Sequence, residues 1–180
     1  VHVDDWVEWA LANGIDPNII GFLKFRDNLL FQFDPSSSEH AFPTPRTWER
    51  ASRILSLPKS LQAETLTGTI GKGATAEFMS FLKIQTELPD INSILNGQNK
   101  DYLPTRTDLK YALVSALASR ATGTKQLNNC IEYSYKLPAE FGVLLVTMMV
   151  SKDEKGVVSC PSLEKWAREH QDIIITKRVK

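Results

Sequence analysis

Net charge is the first thing this sequence lacks. Its 21 basic and 21 acidic residues cancel over 180 positions, so no overall field draws in DNA, RNA or an anionic membrane from a distance. Cysteine is scarce too: Cys130 and Cys160 stand far apart, with no second pair and no flanking histidines. That spacing argues against a zinc cage and against a secreted disulfide framework, and sets a reducing, cytoplasmic location as the expectation. Long apolar runs are missing as well. The most apolar stretch, Phe141 to Val150, is about half the length that crosses a bilayer, and no basic segment followed by an apolar one opens the chain as a leader would. There is no initiator methionine at Val1 and the first residues already read as a helix start, so a piece of a longer polypeptide is expected.

What is present suits an ordinary core. The hydrophobic share is 42%, enough at this length for one generous core or two small ones without metal or disulfide support. Val3, Trp6, Val7, Ala10 and Leu11 recur at helical spacing after Asp4 and Asp5, and Asn13-Gly14 ends that pattern. Asp16-Pro17 reads as an N-cap with proline at the first helical position, opening a short apolar helix through Phe25. Phe31 to His40 carries no period and reads as a surface loop. Thr44 can cap a next helix with Pro45 at its first position and Trp48, Ala51, Ile54 and Leu55 as its buried stripe. A helix from Ser60 to Ile70 is followed by a glycine-rich corner, Gly68 and Gly71 to Gly73, in which glycine would permit close backbone approach, and then by an apolar pattern to Leu82.

Further on, a turn of helix is expected at Ile91 to Leu95 and a polar linker at Asn96 to Lys100. Thr107 or Asp108 opens a strong helix that Gly123 closes. Three more helices are predicted at Thr124 to Lys136, Glu140 to Val150 and Ser162 to His170, the last capped by Ser159 or Ser162, with a charged turn at Asp153 to Gly156 and a strand-like tail at Ile173 to Thr176. The class is all-α, with one helical domain over residues 1–95 and an additional helical region over 96–180.

Few residues offer chemistry. Gly68-Thr-Ile-Gly-Lys-Gly-Ala-Thr75 holds the glycines and lysine of a phosphate cradle, but Lys72 is followed by Gly73, not by Ser or Thr, and the flanks are helical, so the Walker A pattern fails. His2, His40 and His170 are scattered and read as solvated, with no metal pair among them. The two thiols read as filler, since no local residue would activate them. Asp4, Asp5 and Glu39 form no acid–base pair on one helix face. Trp6 and Trp48 lie on apolar stripes and suit core packing over base stacking; for Trp9 both readings stay open. Arg46 stands apart. An arginine in a first helical turn meets the unfavourable end of the dipole, which asks for an anionic partner, and Glu49 three positions on is the rival explanation.

One combination adds a family. Val3-Asp-Asp-Trp-Val-Glu-Trp-Ala10, Ile19-Ile-Gly-Phe-Leu-Lys-Phe-Arg26 and Phe42-Pro-Thr-Pro-Arg-Thr-Trp-Glu49, with Gly71-Lys-Gly-Ala-Thr-Ala-Glu-Phe78 and Leu88-Pro-Asp90, resemble the C-terminal region of a MoxR-like AAA+ ATPase of the type found in bacteria and their phages. The resemblance covers residues 1 to 90 and extends more loosely through Leu137-Pro-Ala-Glu-Phe141. It implies a helical lid that follows a nucleotide-binding core. In such a lid an arginine in a Ser/Thr-Pro-Arg segment, here Thr44-Pro45-Arg46, is the second sensor and reaches the γ-phosphate. The sequence holds no Walker A loop and no acidic Walker B strand, so the resemblance implies no enzyme in this piece by itself. ATP and Mg would be held by an upstream core of the same chain, in a homo-oligomeric ring acting on a client protein. The rival from another class is a non-catalytic α-helical adaptor for protein–protein interaction. A third reading, nucleic-acid binding by Lys177-Arg-Val-Lys180, competes with a plain solvated basic end.

Overall fold

The computed structural model describes residues 2–36 and 40–178. Eleven α-helices and one 3₁₀ turn make up its regular structure, with no strand among the described residues. The chain divides into two compact units, residues 1–87 and 88–180.

The first unit begins with α1 (Val3–Ala12), which buries Trp6, Val7 and Ala10. Asp16 caps α2 (Pro17–Phe25) by accepting from the amide of Asn18, with Pro17 in the first turn. A 3₁₀ turn at Asp27–Leu29 follows, and residues 31–36 are irregular, as a segment without hydrophobic period should be. Next come α3 (Pro45–Ile54), α4 (Lys59–Ile70) and α5 (Lys72–Ile84). The core is aromatic: Phe22 lies 5.6 Å from Trp48, 5.2 Å from Phe78 and 5.5 Å from Phe81 between ring centroids. All four are essentially excluded from water. Tilted and edge-on pairs at these distances add about 0.5–1.5 kcal/mol each beyond area burial.

The glycine-rich segment is arranged differently from the expectation. Gly68 lies within α4 and Gly73 within α5, and a Cβ at either would meet nothing within 4 Å. Close approach therefore explains neither. Gly71 alone makes the corner, at φ 83° and ψ 160°, a region that is essentially glycine-only.

The second unit holds α6 (Ile91–Leu95), α7 (Thr107–Arg120), α8 (Gly123–Ser134), α9 (Ala139–Lys152), α10 (Glu154–Val158) and α11 (Leu163–Arg178). α9 buries residues on every side, from Phe141 to Met149, as expected of a helix that is apolar all round. The apolar run seen in the sequence is thus a core helix, and no helix among the described residues is long and apolar enough to cross a membrane. Lys152, at the end of α9, donates to the carbonyls of Ala118, Ser119 and Ala121, so a cation satisfies acceptors that the end of α7 leaves open.

The division falls between Glu87 and Leu88, not at 95/96. Ile91, Ile94 and Leu95 are buried in the second unit, and Asn129 of α8 donates to the Leu95 carbonyl at 2.9 Å. Gly123 does not close the helix before it: α7 ends at Arg120, Ala121 is extended, and Gly123 at φ 69° opens α8. The charged turn at Asp153 to Gly156 is the start of α10, because Asp153 accepts from the Gly156 amide at 2.9 Å and so caps it. The strand-like tail is the continuation of α11. A β-branched run favours a strand only where a sheet offers pairing, and extending an existing helix needs no new nucleus.

Candidate functional site around Arg46

The local sequence builds a rigid entry to α3. Thr44 is extended, at φ −144° and ψ 161°, and its hydroxyl accepts from the Thr47 amide at 3.0 Å while Thr47 Oγ1 accepts from the Thr44 amide at 2.7 Å. This is a capping box with threonine in the place usually held by Glu or Gln. Pro45 supplies a preset φ and no orphan N–H at the first position. Trp48 then sets the rotation of the helix. Its ring is fully buried against Phe22 and Phe78, and its Nε1 donates to the Leu29 carbonyl at 2.8 Å.

Residues two apart on an α-helix point about 200° from each other. Burying Trp48 therefore turns both Arg46 and Arg50 outward, and both are exposed. The rival partner for Arg46 is otherwise engaged: Glu49 pairs with Arg53 at 2.8 Å. Among the described residues the Arg46 side chain makes no hydrogen bond or ion pair. The exposed side of α3 thus carries three arginines against one glutamate, with Arg46 one turn below Arg50. Such a surface can hold an oxyanion through charge-assisted, bidentate hydrogen bonds. Arg50, four positions after Arg46, shares its side of the helix by spacing, and the rotation set by Trp48 turns that side outward.

The other candidates are placed elsewhere. Lys72 begins α5 after the Gly71 corner, between two helices, where a phosphate loop would follow a strand. His2 and His40 are exposed. His170 is half-buried, contrary to its solvated reading: its ring stacks on Trp166 at 4.5 Å and 15°, with Nδ1 2.9 Å from the Trp166 carbonyl. Among the described residues no three His, Cys, Asp or Glu side chains gather as a metal-holding group. Glu39, Val179 and Lys180 lie outside the described residues.

Burial pushes the Cys130 thiol up to about 12, and burial also raises Cys160, whose Sγ lies 3.3 Å from the Gly156 carbonyl. Both thiols are therefore poor nucleophiles at neutral pH. Glu132 is held below the usual carboxylate range, chiefly by the hydrogen bond from Lys100 at 2.8 Å, with further bonds from Asn128 and Ser162. It ties α8 to the segment before α7 and to the start of α11.

Two surface features of the first unit are apolar. Phe22, Phe25, Phe81 and Ile84 line a cleft of about 290 Å³ between α2 and α5, whose lining includes the Arg26–Glu77 ion pair at 2.6 Å. Trp9, Phe31 and Phe33 are exposed by 41%, 53% and 56%, the two phenylalanines within the segment expected as a surface loop.

Comparison of the chain with models of protein families, with curated proteins and with solved structures finds no match.

Proposed function

We propose that the first unit is a helical lid of the MoxR-like AAA+ type, in which Arg46 contacts the terminal phosphate of ATP bound by a nucleotide-binding core elsewhere in the same polypeptide. The observation that carries this reading is the presentation of Arg46: exposed, set on a proline-started and threonine-capped turn, and without an acidic partner among the described residues. The sequence resemblance supplies the nucleotide. Thr44 and Pro45 position the turn and do not themselves contact phosphate. In this reading the chain is no enzyme by itself; the core would hold ATP and Mg, and lid movement as a rigid body would pass the nucleotide state to neighbouring subunits of a ring.

The test is Arg46→Ala in the full-length polypeptide. ATP turnover is expected to fall by about 10²-fold or more, the usual cost of losing one preorganised donor to a developing phosphoryl charge, with helix content unchanged by circular dichroism. Arg46→Lys should restore only part of it, since an ammonium keeps charge but not the bidentate fork. Turnover at the wild-type rate in Arg46→Ala would sink the assignment.

The second reading, a non-catalytic helical adaptor, is favoured by the exposed Trp9, Phe31 and Phe33. It predicts that Arg46→Ala changes nothing while substitution of those aromatics removes binding to a protein partner.

A further inference from the structure

α1 buries only one side. Trp6, Val7 and Ala10 are buried, while Asp5, Glu8, Trp9 and Ala12 are exposed. Positions three, four and seven apart lie along one ridge of a helix, so these four form a continuous outward face. That face carries no cation. Lys24, which reaches toward α1 from α2, is taken by Asp4 at 2.7 Å, and α1 has no basic residue in its last turn. Among the described residues Asp5 and Glu8 make no ion pair. The helix dipole accounts for an acid at Asp5 in the first turn, but its influence has faded by Glu8 in the second.

Trp9 lies one turn after Asp5, at the edge of this face nearest the buried Trp6. Its indole is 41% exposed, with its centroid 6.3 Å from that of the buried Trp6 at an interplanar angle of 40°. The Asn13 side chain donates to the Trp9 carbonyl at 2.8 Å and closes the helix end beside it. A large aromatic is thus presented on a rigid element, next to two unneutralised carboxylates.

We propose that this face of α1 docks an arginine-bearing segment of a partner protein. The complementary group must be cationic for Asp5 and Glu8 and flat for Trp9. A guanidinium meets both demands, stacking on an indole while its edge donates to a carboxylate, whereas an ammonium is a strongly hydrated point charge that pairs but stacks poorly. An exposed tryptophan in such a patch is the residue type that dominates binding energy when a partner covers it. This inference stands on α1 alone and does not depend on the role of Arg46.

Calorimetric titration of the chain with hexa-arginine peptide, with hexalysine peptide as the comparison, tests it at low salt. Hexa-arginine is expected to bind at least about 10-fold tighter than hexalysine, and Trp9→Ala and the pair Asp5→Asn/Glu8→Gln are each expected to weaken it by about 10-fold. All three positions are exposed, and circular dichroism with Trp9→Phe checks that the fold is kept. Equal affinity for the two peptides, wild-type affinity in Trp9→Ala, or no binding of either peptide would overturn the proposal. So would sedimentation showing self-association that Trp9→Ala abolishes, because the occupant would then be a second copy of this chain.

Discussion

Trp48 joins apolar packing to hydrogen bonding in the first unit. Its ring joins Phe22 and Phe78 in the core, and its indole N–H satisfies the Leu29 carbonyl at 2.8 Å. Trp48→Phe keeps most of the apolar area but strands a buried acceptor, so urea unfolding should show a loss of about 1–3 kcal/mol. Because Trp48 also sets the rotation of α3, the same change should loosen the presentation of Arg46. Glu132 gives a pH-dependent counterpart in the second unit. Its folded pKa is depressed below the ordinary value of 4.5, first by the Lys100 hydrogen bond. Its contribution is therefore fully present above that ordinary value and is lost as pH falls through the folded one. Thermal melts should show wild type more stable than Glu132→Gln at neutral pH, with the gap closing as the solution is acidified below pH 4.5. A gap that widened toward acid would contradict the hydrogen-bonded carboxylate.

At the scale of elements, caps and corners decide where helices begin and turn. Asp16, Thr44, Asp90 and Asp153 each accept a first-turn amide, and three of these starts, Asp16, Thr44 and Asp90, coincide with helix starts read from the sequence. The α4–α5 corner depends instead on one backbone conformation. Gly71 stands at φ 83° and ψ 160°, so Gly71→Ala should destabilise the first unit by about 1–3 kcal/mol, measured by chemical denaturation. Gly68→Ala makes the contrast. It sits inside α4 with open space where the Cβ would go, so the same measurement should show no loss and a gain of up to about 1 kcal/mol from helix propensity.

For the whole molecule the relevant fact is division. The helices of residues 88–180 have their own core, formed by α7, α8 and α9 and including Leu113, Leu117, Ile131, Leu145 and Met148, all fully excluded from water. That segment made alone should be helical by circular dichroism and should unfold in one cooperative transition. A broad, non-cooperative melt would show that its core needs the rest of the chain. The boundary was misplaced in the sequence reading because Asn96 to Lys100 is the more polar stretch. Polarity marks solvent exposure, however, and Ile91 to Leu95 is committed by what its apolar side meets.

Periodicity and capping residues by themselves determined that this chain is all helical, where its first six helices lie, and that Arg46 opens one of them on a proline-started turn. These are local properties, set by side-chain spacing and by which groups can satisfy the amides of a first turn. Tertiary structure alone decided that Glu49 turns to Arg53 rather than Arg46 and that His170 lies against Trp166. Each of those outcomes depends on which of several reachable partners the packed fold brings near, and spacing along the chain does not encode that choice.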